Sequence, residues 1–204
     1  GKIRAGGTAP AGSRRLAALA RLTPWGSLDT TFAAGQGKMV FPELGAASSP
    51  AVLLRRNGKI VLTPRLSSGT NVVVQLTQHG ERDETFGSDG ASEGWTCGGP
   101  SCGWLQETIE LPNGDLQSVG TSTAPEIVAV RFVGAGPGAG ELDGSFGNGG
   151  VASFVPPLPF GTVYGMALDH HGRTLILMQS FVGTAQTGLL RLHGDQPDPT
   201  FGNG

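Results

Sequence analysis

The chain has 204 residues, a formal net charge of −2 and only 15% charged side chains, together with 35 glycines and 14 prolines. That balance leaves no basic footprint for nucleic acid, and no apolar run approaches the ~18 residues that a membrane-spanning helix needs. The length allows one sizeable core or two small ones, and the glycines, which recur at regular positions, read as turns of a folded chain.

Apolar runs rich in β-branched residues predict strands at 3–6 and 16–22, then at 51–56, 59–63, 71–76 and, more weakly, 91–95. The series continues at 105–111, 116–120 and 127–133, and again at 163–169, 174–179 and 189–193. Residues 13–21 carry an alanine and arginine mix that also suits a short helix, but their place in the series argues for strand. Asn57-Gly58, between two such runs, is the signal of a two-residue hairpin.

Two phrases punctuate this series. The first is Leu28-Asp29-Thr30-Thr31-Phe32, copied as Asp83-Glu84-Thr85-Phe86-Gly87, Asp143-Gly144-Ser145-Phe146-Gly147 and Asp198-Pro199-Thr200-Phe201-Gly202, with phenylalanines 54 to 60 residues apart. The second is Gly1-Lys2-Ile3, copied as Gly58-Lys59-Ile60, Gly114-Asp115-Leu116 and Gly172-Arg173-Thr174, with glycines 56 to 58 apart. Two markers on one beat define a repeat architecture. Four strands per unit of about 40 to 60 residues is the arithmetic of a propeller blade. The expected fold is therefore all-β: a β-propeller of about four four-stranded antiparallel blades, at roughly 1–42, 43–97, 98–155 and 156–204. Such a set forms either a small complete ring or part of a roughly seven- to eight-bladed one, completed by more chain or by self-association with a second copy.

The pairing of an Asn/Asp-Gly-Lys-Ile turn with a Leu-Asp-x-Thr-Phe-Gly phrase resembles the delta-60 repeat of bacterial proteins, and the resemblance covers essentially the whole chain. It implies a β-propeller in a secreted or cell-surface setting, and it carries no catalytic residues over to this chain. The chain departs from the pattern at Ala33-Ala34, where glycine usually follows the phenylalanine, and at Thr23-Pro24-Trp25-Gly26.

The repeated aspartates Asp29, Asp83, Asp143 and Asp198 read as Asx-type turns rather than a calcium loop, because alternate acidic ligands are missing. No metal or cofactor is expected. Cys97 and Cys102 flank a glycine- and proline-containing loop that reads as a local disulfide, with a pair of reduced thiols as the alternative. In an up-and-down sheet, the connections between second and third strands and between successive sheets emerge at one end. Those connections vary most between repeats, so that end is the expected recognition surface. Phe41, Trp95, Trp104, Phe160, Tyr164 and Phe181 are its candidate contacts, unless they pack between sheets instead. The leading expectation is a non-catalytic extracellular or surface module that binds a protein partner or joins a larger assembly. The alternative is a lectin-like propeller stacking sugars on its aromatics, and a third reading is the accessory domain of an enzyme.

Overall fold

A computed structural model describes residues 1–45, 47–48, 50–92, 103–122, 126–156, 162–180 and 185–202. Among them the chain forms four antiparallel sheets and one short 3-10 turn at Pro42–Leu44. The chain divides into two compact units, Gly1–Thr96 and Cys97–Gly204, each holding two of the sheets.

In the first unit, one sheet joins β1 (Ile3–Ala11), β2 (Arg14–Leu22) and β3 (Lys38–Val40) in chain order, and another joins β4 (Ala51–Leu54), β5 (Ile60–Thr63) and β6 (Val74–Leu76). Beyond β6 the expected fourth strand is reduced to the single bridge Val74–Ala91, and residues 93–102 lie outside the described chain. The second unit holds the sheet of β7 (Leu105–Glu110), β8 (Leu116–Thr121), β9 (Ile127–Phe132) and β10 (Val151–Phe154). Its partner sheet is β11 (Thr162–Leu168), β12 (Thr174–Ser180), β13 (Gln186–His193) and β14 (Gln196–Pro197). The stretch that also suited a helix is strand β2, paired along its whole length with β1.

The hairpin turns differ from the expected two-residue kind. Gly58 N–H donates to Arg55 O and Arg55 N–H to Lys59 O, both at 2.9 Å, and only Gly58 has positive φ (83°). A type I′ turn needs positive φ at Asn57 as well, so the loop is three residues with glycine as the bulge. Residues 111–115 and 169–173 repeat the bonding, with Gly114 at 94° and Gly172 at 77°.

Each unit has its own core. In the first, Ala17 and Leu19 of β2 face Ile60, Leu62, Val74 and Leu76 of the second sheet, with Phe32 and Phe41 between them. In the second, Ile127 and Ala129 of β9 face Ile176, Met178, Leu190 and Leu192, with Phe146 and Phe154 filling the space. Burial of each such phenylalanine contributes roughly 2–3 kcal/mol. The burial patterns separate the sheets: β5, β6 and β9 are buried on nearly every residue, whereas β2 and β12 alternate. Continuous burial means both faces are covered, and alternation means one is not.

Candidate functional site

The repeated phrase folds the same way in all four copies. Oδ1 of Asp29, Asp83, Asp143 and Asp198 accepts the backbone N–H and the hydroxyl of Thr31, Thr85, Ser145 and Thr200 respectively, at 2.6 to 3.2 Å. The phenylalanine N–H then closes onto the aspartate carbonyl at 2.9 to 3.2 Å. This is the Asx-type turn that the residue pattern predicts.

The second carboxylate oxygen is met by a side chain from the strand that precedes the turn, β2, β6 or β13, and that column went unread in the sequence. Arg21 Nε reaches Asp29 Oδ2 at 2.6 Å, and Arg191 Nε reaches Asp198 Oδ2 at 2.8 Å. In the second repeat the position is Gln75, whose Nε2 donates to Asp83 at 2.6 Å while its Oε1 accepts from Arg55 at 2.5 Å. The arginines also lie over the phenylalanine rings: Arg21 on Phe32 at 4.6 Å, Arg131 on Phe146 at 4.1 Å and Arg191 on Phe201 at 4.5 Å. The readable signal was an Arg or Gln between two apolar residues, seven to twelve positions ahead of each aspartate.

The two sequence phrases are themselves joined. Lys2 Nζ lies 3.1 Å from Asp29, Lys59 Nζ 2.6 Å from Asp83, and Arg173 Nη1 3.6 Å from Asp198. For Asp83, burial alone raises the pKa, but hydrogen bonds from Lys59, Thr85 and Gln75 outweigh it and bring the carboxyl down to about 2. Asp29 follows the same logic and falls well below the ordinary range, its burial outweighed by Thr31, Lys2 and Arg21. These carboxylates are engaged in holding turns, strands and rings together.

The candidate contact residues are dispersed. Phe41 is 1% exposed and belongs to the core, its N–H bonded to Ala17 O at 3.0 Å and the Arg82 guanidinium 5.5 Å from its ring. It is not a surface contact: the Pro42–Leu44 turn follows it directly and turns the chain where Phe41 enters the core. Tyr164 is 53% exposed, at a register shift between Val163 and Gly165 on β11, and Trp104 is half-buried ahead of β7. Trp95, Phe160, Phe181, Cys97 and Cys102 lie outside the described residues. Sequence reasoning treated Trp25 as a turn irregularity, yet it is 90% exposed on the connection between β2 and β3. That connection leaves the opposite end of the sheet from the expected recognition surface. Among the described residues no group of three or more His, Cys, Asp or Glu side chains could hold a metal ion, and no helix is long and apolar enough to cross a membrane.

Among the described residues, two sheet faces keep partly exposed apolar residues. With Arg21, Gln75, Arg131 and Arg191 aligned as one column, Ala17 and Leu19 in the first sheet and Ile127 and Ala129 in the third correspond to Thr187 and Leu189 in the fourth. The former are core residues, but Leu189 is 52% exposed and Leu177, paired with it on β12, is 39% exposed. Conversely, Val74 and Leu76, like Leu190 and Leu192, are buried against a neighbouring sheet. Their counterparts Ala20 and Leu22 on the first sheet are only partly buried. There Ala5, Gly7, Ala9, Ala18, Ala20 and Val40 border a shallow depression of about 480 Å³.

No protein-family model and no curated relative matches the chain. Among solved structures it is similar to a protein of unknown function from Bacteroides caccae, with a TM-score of 0.55 at 11% identity. The match covers 90% of this chain and 54% of that one, so this chain spans about half the length of its structural neighbour. At that identity the likeness concerns the fold alone.

Proposed function

We propose that this chain is a non-catalytic β-propeller module that works by assembly in a secreted or cell-surface setting, docking sheet face on sheet face with a second copy of itself. The observation that carries the reading is the pair of open faces. The face bearing Leu177 and Leu189 is the repeat counterpart of faces that, inside each unit, pack on the counterpart of the Ala18 and Ala20 face. The first and fourth sheets thus present complementary half-interfaces, the arrangement of a head-to-tail contact. Exposed apolar sheet faces of this kind mark interaction surfaces. The engagement of the repeated carboxylates in turns and ion pairs supports a scaffold over a catalyst, and the resemblance to delta-60 repeats supports the extracellular setting.

Sedimentation velocity over a range of concentrations tests the reading. Wild-type chain is expected to self-associate, and Leu189→Glu and Ala18→Glu are each expected to prevent it. An equimolar mixture of the two variants retains one good copy of each face and should stop at a heterodimer. A wild-type chain that stays monomeric throughout, or variants that associate normally, would overturn the proposal. Export is tested separately by intact mass with and without reductant, which should show Cys97 and Cys102 oxidised in protein recovered from outside the cell.

A further inference from the structure

The small net charge of the chain hides a division along it. Residues 1–80 hold ten lysines and arginines against two acidic residues, whereas residues 81–204 hold four against fourteen. The two acids of the first stretch are already engaged, Asp29 by Lys2 and Arg21, and Glu43 by Arg82. Three arginines of that stretch, Arg14, Arg15 and Arg65, are exposed at one end of the first unit. Arg14 and Arg15 open β2 just after the Gly12 turn, and Arg65 follows β5. Between them runs the link that joins the two sheets: Ala47 N–H donates to Arg15 O and Ser48 N–H to Arg65 O, both at 2.9 Å. One strand spacing on each side of that link puts the Arg15 and Arg65 backbones about 10 Å apart. Arg15 Nη1 donates to the Thr8 hydroxyl at 3.1 Å, and neither Arg14 nor Arg15 has an ion pair among the described residues.

We propose that this end of the first unit binds an acidic polysaccharide, whose carboxylate or sulfate groups pair with Arg14, Arg15 and Arg65. A guanidinium offers a planar fork of donors that matches either group. Sites about 10 Å apart suit an anion that repeats along a polymer better than a single small ion. Cations held within roughly one Debye length of each other concentrate a positive potential that such a polymer relieves. Ser13, Ser48 and Ser67, all exposed, neighbour these arginines and add hydroxyls for sugar oxygens. Nucleic acid, the other common polyanion, fits less well: residues 8–15, 47–48 and 64–70 hold no aromatic ring on which a base would stack. The second unit builds no such patch, because its three cations, Arg131, Arg173 and Arg191, each pair with an aspartate. The site goes beyond the assembly reading and is separable from it, since Leu189→Glu leaves all three arginines in place.

The test is a low-salt titration of the isotope-labelled chain with oligogalacturonate, sulfated dextran oligomers and neutral dextran oligomers, followed by amide NMR. The two charged probes separate a carboxylate ligand from a sulfate one. At least one of them is expected to give saturable shifts at the Arg14, Arg15, Ser48 and Arg65 amides, and neutral dextran none. Binding should weaken steeply as salt is added. Calorimetry on the double variant Arg15→Gln, Arg65→Gln should show at least about tenfold weaker binding, because two of three charges are gone. Arg56→Gln removes an exposed charge at the opposite end of the sheet and should change affinity less than about twofold. Leu189→Glu should bind as wild type does, whatever its effect on assembly. No saturable shift with either charged probe overturns the proposal, as does equal binding by the double variant or an equal loss in Arg56→Gln. Single-stranded DNA that binds as tightly as the better oligosaccharide also overturns it.

Discussion

Arg21 in the first unit and Arg131 in the second occupy the same column of the repeat, yet they are held very differently. Arg21 is 6% exposed, and every guanidinium nitrogen has a partner in Asp29, Thr31 or the Gln78 carbonyl. Arg131 keeps its place over Phe146 at 4.1 Å, but its nearest carboxylate contact is 3.8 Å and its Nε is unpartnered. One reason lies in the companion phrase. Lys2 reinforces Asp29, whereas the third repeat has Asp115 at that position, and its Oδ1 accepts Gly134 N–H at 3.0 Å. The same arginine-to-aspartate column therefore forms a closed clasp in the first repeat and an open one in the third.

Truncating the phenylalanines gives the largest expected contrast. Phe32→Ala removes a fully buried ring and should cost about 4 kcal/mol, whereas Phe201→Ala, at a half-buried position, should cost about 1 kcal/mol, as read from chemical denaturation. Next comes the clasp. Arg21→Met strands a buried carboxylate and should cost about 3 kcal/mol, but Arg131→Met should cost about 1 kcal/mol; equal losses would mean that the two clasps are energetically alike.

Acid provides a third contrast. The folded pKa of Asp83 lies below its unfolded value of about 3.9, so its stabilisation is present above that value. It is lost as pH falls from about 4 toward about 2. Urea midpoints measured across that window should drop in wild type and drop less in Asp83→Asn. The smallest effect concerns the left-handed backbone that follows the repeated phenylalanine. Ala33 (φ 53°) and Ala34 (φ 50°) sit in the left-handed region that side chains disfavour. Ala33→Gly should stabilise by about 1 kcal/mol. Gly87→Ala should do the opposite, because a Cβ there collides with the Ala91 carbonyl.

Much of the fold was legible because local chemistry recurs. Asp29 and its copies carry their Asx turns within three residues, and Gly58, Gly114 and Gly172 mark hairpins that need one residue at positive φ. Side-chain fate was less legible. Phe41 looked like a loop aromatic because its neighbours are Pro42 and Glu43, and only the packing of β2 against the second sheet makes it core. The arginine column was overlooked because a single cation between apolar residues reads as an outward-facing strand position, when its partner lies across the sheet at the following turn.

By itself the sequence determined the all-β character, the places where the strands turn and the phenylalanines Phe32 and Phe146 that plug each core, all of which depend on short-range stereochemistry or on apolar periodicity. Tertiary structure alone decided which arginine closes on its aspartate, which sheet faces stay open and where a buried amide is left without an acceptor. Those outcomes depend on side chains that meet from positions up to about sixty residues apart, such as Gln117 and Thr174. Burial and hydrogen-bond satisfaction are properties of that meeting and not of either residue.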